Sequence, residues 1–128
     1  MRQIKFRGLS NNTWVYGLPF YSHGLGYWKI VKSNGWFPSY NNLDEGEMND
    51  FIDVDANTIG QFTGLTDKNG KEIYEGDILD YWGGKDPVVF KDGAFQIKST
   101  EFDFFDIPVD ADIEVIGNIH QSKELINN

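Results

Sequence analysis

Residues 88–97 have the sequence VVFKDGAFQI, in which two short apolar runs flank Asp92 and Gly93. Asp-Gly is a preferred dipeptide for a two-residue hairpin turn, because both residues tolerate positive φ and the turn twists in the same sense as its strands. The segment therefore predicts an antiparallel β-hairpin. It also indicates a fold that is built from strand pairs close together in the chain.

Further turn signals precede this hairpin. Residues 67–70, with the sequence DKNG, contain the Asn-Gly pair that is typical of tight turns. A polar turn at residues 10–12 predicts an N-terminal hairpin. Strand alternation then puts Trp14 and Tyr16 on the face opposite Val15.

The composition agrees with these patterns, since 14 of the 128 residues are glycine and 16% are aromatic. Many short strands predict a mainly β fold, a small barrel or sandwich, in one domain over residues 1–128. Ser122 is expected to cap a short C-terminal helical turn. Residues 33–57 are expected to contain little regular structure, and the Gly-Gly and Pro of residues 83–87 to interrupt the strand ladder.

Charge is distributed unevenly along the chain. Residues 1–32 carry five basic and no acidic residues, whereas residues 33–128 carry 6 basic and 20 acidic residues. The net charge of −9 disfavours general affinity for nucleic acid, because Lys and Arg contacts to phosphates supply most non-specific binding. The acidic runs within residues 44–55 and 101–114 predict solvated strand faces, and the alternatives are a cation site or a surface that mimics DNA.

Several kinds of site are excluded by residue type and spacing. The chain has no cysteine, which excludes disulfides and thiolate chemistry and favours a cytoplasmic location. The turn at residues 67–70 lacks the glycine and glutamate spacing of an EF-hand loop, and no nucleophile motif accompanies His23 or His120. No apolar run reaches the ~18 residues of a membrane helix. We therefore expect no catalytic residues, no metal site, no cofactor and no membrane partner.

Basic and aromatic residues are interleaved in the N-terminal part of the chain. Eight of them are predicted to form a binding surface: Lys5, Arg7, Trp14, Tyr16, Trp28, Lys29, Lys32 and Trp36. Such a surface fits either a protein partner or single-stranded nucleic acid, whose bases stack on aromatic rings. An ordinary barrel core with solvated lysines is the alternative, because aromatic residues on strands usually pack and lysines often protect strand edges.

Residues 58–78 have the sequence TIGQFTGLTDKNGKEIYEGDI. With IKFRG at residues 4–8, WVYG at 14–17 and VIGNI at 115–119, this segment resembles the YopX-like family of bacteriophage and prophage proteins. The resemblance spans nearly the whole chain. It implies an SH3-like barrel and a bacterial cytoplasmic protein, and it leaves a homo-oligomer open. The signature consists largely of turn residues, so we expect structural roles for Gly60, Gly64, Asn69, Gly70, Gly76, Asp77, Gly117 and Asn118.

Taken together, these observations predict a phage or prophage accessory protein without enzymatic activity. Its aromatic residues would anchor a host or phage protein in the cytoplasm. Two alternatives stay open. One is binding of single-stranded nucleic acid by the basic N-terminal face, which is less favoured than a protein partner. The other is an acidic inhibitor that mimics DNA toward a host factor.

Overall fold

The computed structural model describes six segments of the chain: residues 4–23, 26–32, 51–82, 84–99, 104–108 and 112–125. The chain divides into two compact units, unit 1 (Met1–Gln61) and unit 2 (Phe62–Asn128). The single domain expected over residues 1–128 stays a prediction.

Unit 1 is an antiparallel sheet. Its strands are β1 (Phe6–Ser10), β2 (Thr13–Ser22), β3 (Tyr27–Lys32), β4 (Phe51–Asp53) and the beginning of β5 (Gly60–Thr66). Neighbouring strands follow the order β4-β3-β2-β1-β5. The connection between β1 and β2 consists of Asn11 and Asn12, both at positive φ, a conformation that the short side chain of asparagine tolerates. The predicted N-terminal hairpin is therefore confirmed.

Trp14 and Tyr16 lie on the face opposite Val15, as alternation predicts. Val15 and Ile30 lie on one face and are buried, and Trp14 and Tyr16 lie on the other. The expectation of little regular structure in residues 33–57 is wrong for its last part, because β4 pairs with β3 and a short 3-10 helix follows it. Local sequence does not reveal this pairing, since β4 lies far from β3 along the chain. Residues 33–50 lie outside the described segments.

Unit 2 contains the end of β5 and six further strands. These strands are β6 (Glu72–Tyr74), β7 (Asp77–Tyr81), β8 (Gly84–Lys91), β9 (Ala94–Lys98), β10 (Phe104–Asp106) and β11 (Glu114–Asn118). β5 pairs with β6, and the other five strands form an antiparallel sheet in the order β10-β9-β8-β7-β11. β8 and β9 are joined by Asp92 and Gly93, at φ of 53° and 80°, so the hairpin predicted there is confirmed.

β8 runs through Pro87, contrary to the expectation that residues 83–87 interrupt the ladder. Pro87 pairs with Ile78 of β7, whereas the pairing of β8 with β9 begins only at Val88. Proline is tolerated at such a position, because one side of the strand has no neighbouring ladder. β8 therefore starts directly after the two-residue connection from β7.

A hydrophobic cluster of unit 2 lies on one face of the five-stranded sheet. Leu79, Val88 and Ile97 come from three neighbouring strands and are almost completely buried. Burial of one such side chain contributes about 1.5–3 kcal/mol to stability. Among the described residues, the buried members of this cluster are Ile73, Leu79, Tyr81, Val88, Ile97, Ile107, Ile113 and Val115.

Strands dominate the described residues, where helical structure is limited to 3-10 turns at Ala56–Thr58 and Lys123–Leu125. The mainly β class and the C-terminal helical turn are therefore confirmed. Closure of the sheet into a barrel is not confirmed, because neither sheet closes through the described strands. None of the helices in these segments is long and apolar enough to cross a membrane.

Candidate functional site

The strands β2 and β3 form a hairpin that we call the aromatic hairpin. Residues 8–28 contain no Asp, Glu, Lys or Arg, although 24% of the whole chain is charged. Five aromatic side chains of this hairpin are 37–44% exposed: Tyr16, Phe20, Tyr21, Tyr27 and Trp28. Large aromatic side chains are usually more deeply covered than this, so their concentration within one stretch without charge marks a candidate binding surface.

The strand register distributes these side chains over both faces of the hairpin. Phe20 and Tyr27 lie on the same face as Tyr16, whereas Tyr21 pairs directly with Trp28 on the opposite face. The ring centroids of Tyr21 and Trp28 are 5.4 Å apart, within the usual range of a favourable aromatic pair. Each face of the hairpin therefore presents partly exposed aromatic surface.

Two of the predicted cations are engaged within unit 1. The guanidinium carbon of Arg7 lies 3.9 Å from the ring centroid of Trp14, and Arg7 is only 4% exposed. The ammonium group of Lys29 donates to Asp53 Oδ1 at 2.5 Å. This hydrogen bond is the main reason why the pKa of Lys29 is raised. Neither cation is thus free to neutralise a phosphate without giving up an internal contact.

The structure brings only part of the predicted surface together. Arg7, Trp14, Tyr16 and Lys29 share one face, and Trp28 lies on the other. Lys5 precedes β1. The backbone of Lys32 belongs to β3, opposite Gly17, and its side chain is not among the described parts of the structure. Trp36 lies outside the described residues.

Phe20 and Tyr21 were not among the residues predicted for this surface. Alternation of polar and apolar residues could not identify them, because both hairpin faces carry exposed aromatic side chains. The signal that was available is the long stretch without charge, residues 8–28. It would have indicated a surface that meets an uncharged partner.

Two segments of the family signature, residues 58–78 and 115–119, pair with each other in unit 2. Asp77 of β7 pairs with Asn118 of β11, and Ile78 pairs with Gly117. We call residues 74–78 together with residues 117–121 the motif junction. Sequence spacing could not show this contact, because it joins segments that are far apart in the chain.

Buried polar side chains of the motif junction bind backbone groups. Asp77 is 1% exposed, and its Oδ2 accepts a hydrogen bond from the Tyr74 N–H at 2.7 Å. The Oδ1 of Asn118 accepts from the N–H groups of His120 and Gln121, both at 3.0 Å. These contacts fix the turns at the two ends of the junction.

The glycines of the motif junction lie where the backbone is tightly constrained. Gly76 has φ of 94°, and its N–H and C=O bond to Val88 and Ile119. A Cβ on Gly117 would lie 2.7 Å from Ser122 Oγ. The remaining signature residues lie in or beside β5, at Gly60 and Gly64, and in the turn that follows it, at Asn69 and Gly70.

Asp67 organises that turn and fastens it to β11. Its Oδ1 accepts from the N–H groups of Asn69 and Lys71 at 2.8 and 2.9 Å, and its Oδ2 accepts from the Val115 N–H at 3.0 Å. Burial alone would raise the pKa of Asp67, but these three backbone donors and the charge of Lys71 outweigh burial and lower it. The carboxylate is therefore held ionised as a structural acceptor.

Comparison with known proteins identifies relatives of the whole chain. The family described as YopX protein matches residues 5–127. The crystal structure of protein EF1440 from Enterococcus faecalis is similar, with a TM-score of 0.59 and 25% sequence identity. The similarity covers 97% of this chain and 98% of that chain. A search of curated proteins gave no match.

Proposed function

The chain belongs to the YopX family, and we propose that it is a protein-interaction module without enzymatic activity. The observation that carries this proposal is the aromatic hairpin, with five partly exposed aromatic side chains on a stretch without charge. We further propose that the module acts in the bacterial cytoplasm as an accessory protein of a phage or prophage, and that its partner is a host or phage protein. The family resemblance supports this setting.

Burial of the aromatic hairpin would supply substantial binding energy. Trp and Tyr are enriched among the residues that dominate protein interfaces, where truncating one typically costs about 2 kcal/mol or more. Their rings bury a large area while immobilising few rotatable bonds, so little conformational entropy is lost on binding. Because residues 8–28 carry no charge, burial of this stretch also avoids the cost of removing water from ionised groups.

The electrostatics of unit 1 favour a protein over a nucleic acid. Stacking of single-stranded bases on Tyr16, Phe20 and Tyr27 would need cations along the same path to hold the phosphates. Arg7 and Lys29 on that face already contact Trp14 and Asp53. The net charge of −9 would also repel a polyanion.

The roles of the buried carboxylates support the absence of enzymatic activity. Asp67 and Asp77 accept backbone hydrogen bonds, and Asp86 accepts from the hydroxyl of Tyr81. Within the described residues, no group of three or more His, Asp or Glu side chains could hold a metal ion. The DNA-mimic alternative rests on acidic runs that lie partly outside these residues, at 44–50, 101–103 and 109–111.

Affinity purification from the organism that encodes the protein tests the proposal. We expect the tagged wild-type chain to retain a stoichiometric protein partner after nuclease treatment and in about 0.5 M salt, because an apolar contact resists screening. The double variants Phe20→Ala/Tyr27→Ala and Tyr21→Ala/Trp28→Ala probe the two faces of the aromatic hairpin. At least one of them should lose the partner.

Phe90→Ala is the matched control, since Phe90 is an exposed aromatic residue on a strand of unit 2. It should leave recovery of the partner unchanged. Recovery that disappears on nuclease treatment would favour nucleic-acid binding instead. Equal recovery by the wild type and both hairpin variants would contradict the proposal.

A further inference from the structure

Trp82 combines two unusual properties. It is 75% exposed, which is the highest value among the large hydrophobic residues in the described part of the chain. Its φ is 44°, in the left-handed region that is uncommon for residues with a bulky side chain. Both properties are unfavourable for an isolated protein, because one exposes apolar surface and the other strains the backbone.

The position of Trp82 in its turn explains the strain. Tyr81 pairs with Gly84, so β7 and β8 are joined by a two-residue connection that begins with Trp82. Such connections favour Asn, Asp or Gly, which tolerate positive φ. Two hairpins among the described strands, β1–β2 and β8–β9, also have two-residue connections, and these follow that rule with Asn11-Asn12 and Asp92-Gly93. A tryptophan at the equivalent place is therefore not explained by turn formation.

The residues on either side of the Trp82 connection fix it through a hydrogen bond and a close packing contact. The hydroxyl of Tyr81 donates to Asp86 Oδ2 at 2.5 Å, and both residues are buried. A Cβ on Gly84 would lie 3.1 Å from Cζ of Tyr81, so the phenol packs directly against the start of β8. The rings of Tyr81 and Trp82 are in edge contact, with centroids 6.2 Å apart. The backbone that carries Trp82 is thus held in place by these contacts, which lowers the conformational entropy lost on binding.

We propose that Trp82 is a second protein-binding anchor, separate from the aromatic hairpin, which inserts into an apolar pocket on a basic protein. The pocket follows from the size and exposure of the indole. The basic character of the partner follows from charge complementarity, because unit 2 has 14 acidic and 6 basic residues. The same negative charge disfavours stacking of Trp82 on a nucleic-acid base.

Thermal unfolding of the purified full chain tests whether Trp82 is kept for binding. Trp82→Asn supplies a residue that tolerates positive φ and removes exposed apolar surface. It should therefore raise Tm by about 3–5 °C. Trp82→Ala removes the indole but keeps a residue that is strained at positive φ, so its Tm should stay near that of the wild type. A fall in Tm for Trp82→Asn would show that Trp82 stabilises the fold, and would overturn the proposal.

Site-specific photocrosslinking tests the partner. A benzoyl-phenylalanine at position 82 of the full chain, in the organism that encodes it, should crosslink to a protein through a basic peptide. Non-covalent recovery of that protein by the wild type should fall at least tenfold in about 0.5 M salt and in Trp82→Ala. Benzoyl-phenylalanine at position 90 is the control. Crosslinking to nucleic acid, to an acidic protein or to nothing above this control would overturn the proposal.

This test is independent of the function proposed for the aromatic hairpin. The double variant Phe20→Ala/Tyr27→Ala should leave crosslinking from position 82 unchanged, because those residues belong to unit 1. Failure of one proposal therefore does not imply failure of the other.

Discussion

In the aromatic hairpin, aromatic side chains are partly exposed and residues 8–28 carry no charge. In the motif junction and the neighbouring Asp67 turn, polar side chains are buried and bind backbone N–H groups. The segments that identify the family thus serve to hold turns and strands in place. The surface that is suited to a partner lies mostly outside them, so a family signature need not mark the site of function.

Within the motif junction and the Asp67 turn, the largest effect is expected for Asp67→Ala. The Val115 N–H would lose its acceptor in a buried position, whereas the N–H groups of Asn69 and Lys71 could turn to water. We expect the free energy of unfolding in urea to fall by about 2–4 kcal/mol. Asp112→Ala is the control, because its side chain is 82% exposed, and it should change stability by less than about 0.5 kcal/mol. Equal effects would remove the distinction between buried and exposed carboxylates.

A smaller loss is expected for Gly117→Ala in the motif junction. The new methyl group would meet Ser122 Oγ and Leu125 Cδ1 at 2.7 and 2.8 Å, so the C-terminal turn must shift. Overpacking of this kind costs about 1–3 kcal/mol. Ser122→Gly added to Gly117→Ala removes the closest atoms and should restore part of the loss in the same urea experiment. No recovery would show that the steric explanation is wrong.

The charge state of Asp67 makes the stability of the Asp67 turn depend on pH in the acid range. Because the pKa of Asp67 is lowered in the folded state by backbone hydrogen bonds, ionisation stabilises the fold above the unfolded pKa of about 3.9. This contribution disappears as the pH falls through the lower folded pKa. The stability difference between the wild type and Asp67→Asn should therefore be constant above about pH 5 and shrink below about pH 4. A difference that grows in acid would contradict this assignment.

The smallest effect on stability is expected in the aromatic hairpin. Phe20 and Tyr21 are both about two-fifths exposed, so replacing either by Ala should change the unfolding free energy by only about 0.5–1 kcal/mol. Ile30→Ala on the same hairpin is the control, since Ile30 is fully buried and its truncation should cost about 2–5 kcal/mol. If Phe20→Ala lowered the unfolding free energy as much as Ile30→Ala, the Phe20 ring would have a structural role. That result would contradict the assignment of the hairpin as a binding surface.

Local chemistry made much of the fold predictable. The hairpins were predictable from their connections, Asn11-Asn12 and Asp92-Gly93, because these residues adopt positive φ at low cost. Pairings between distant segments were not predictable, such as β4 with β3, since local patterns contain no information on the partner strand. For the same reason the contact of Lys29 with Asp53 was not predictable, and Lys29 was assigned to the binding surface instead. The strain at Trp82 appears only once the turn is known to contain two residues.

The hydrogen bonds of the Asp67 turn have a consequence for solubility. β11 is the last strand of its sheet, and such strands can recruit strands from other molecules. Its Val115 N–H is bound by the Asp67 carboxylate, and its neighbour Ile113 accepts from the Lys68 N–H through its C=O. Backbone groups that an incoming strand would need are therefore already occupied. The Asp67 turn thus protects the edge strand β11 from pairing with other molecules. Loss of these hydrogen bonds would favour intermolecular β-structure as well as unfolding.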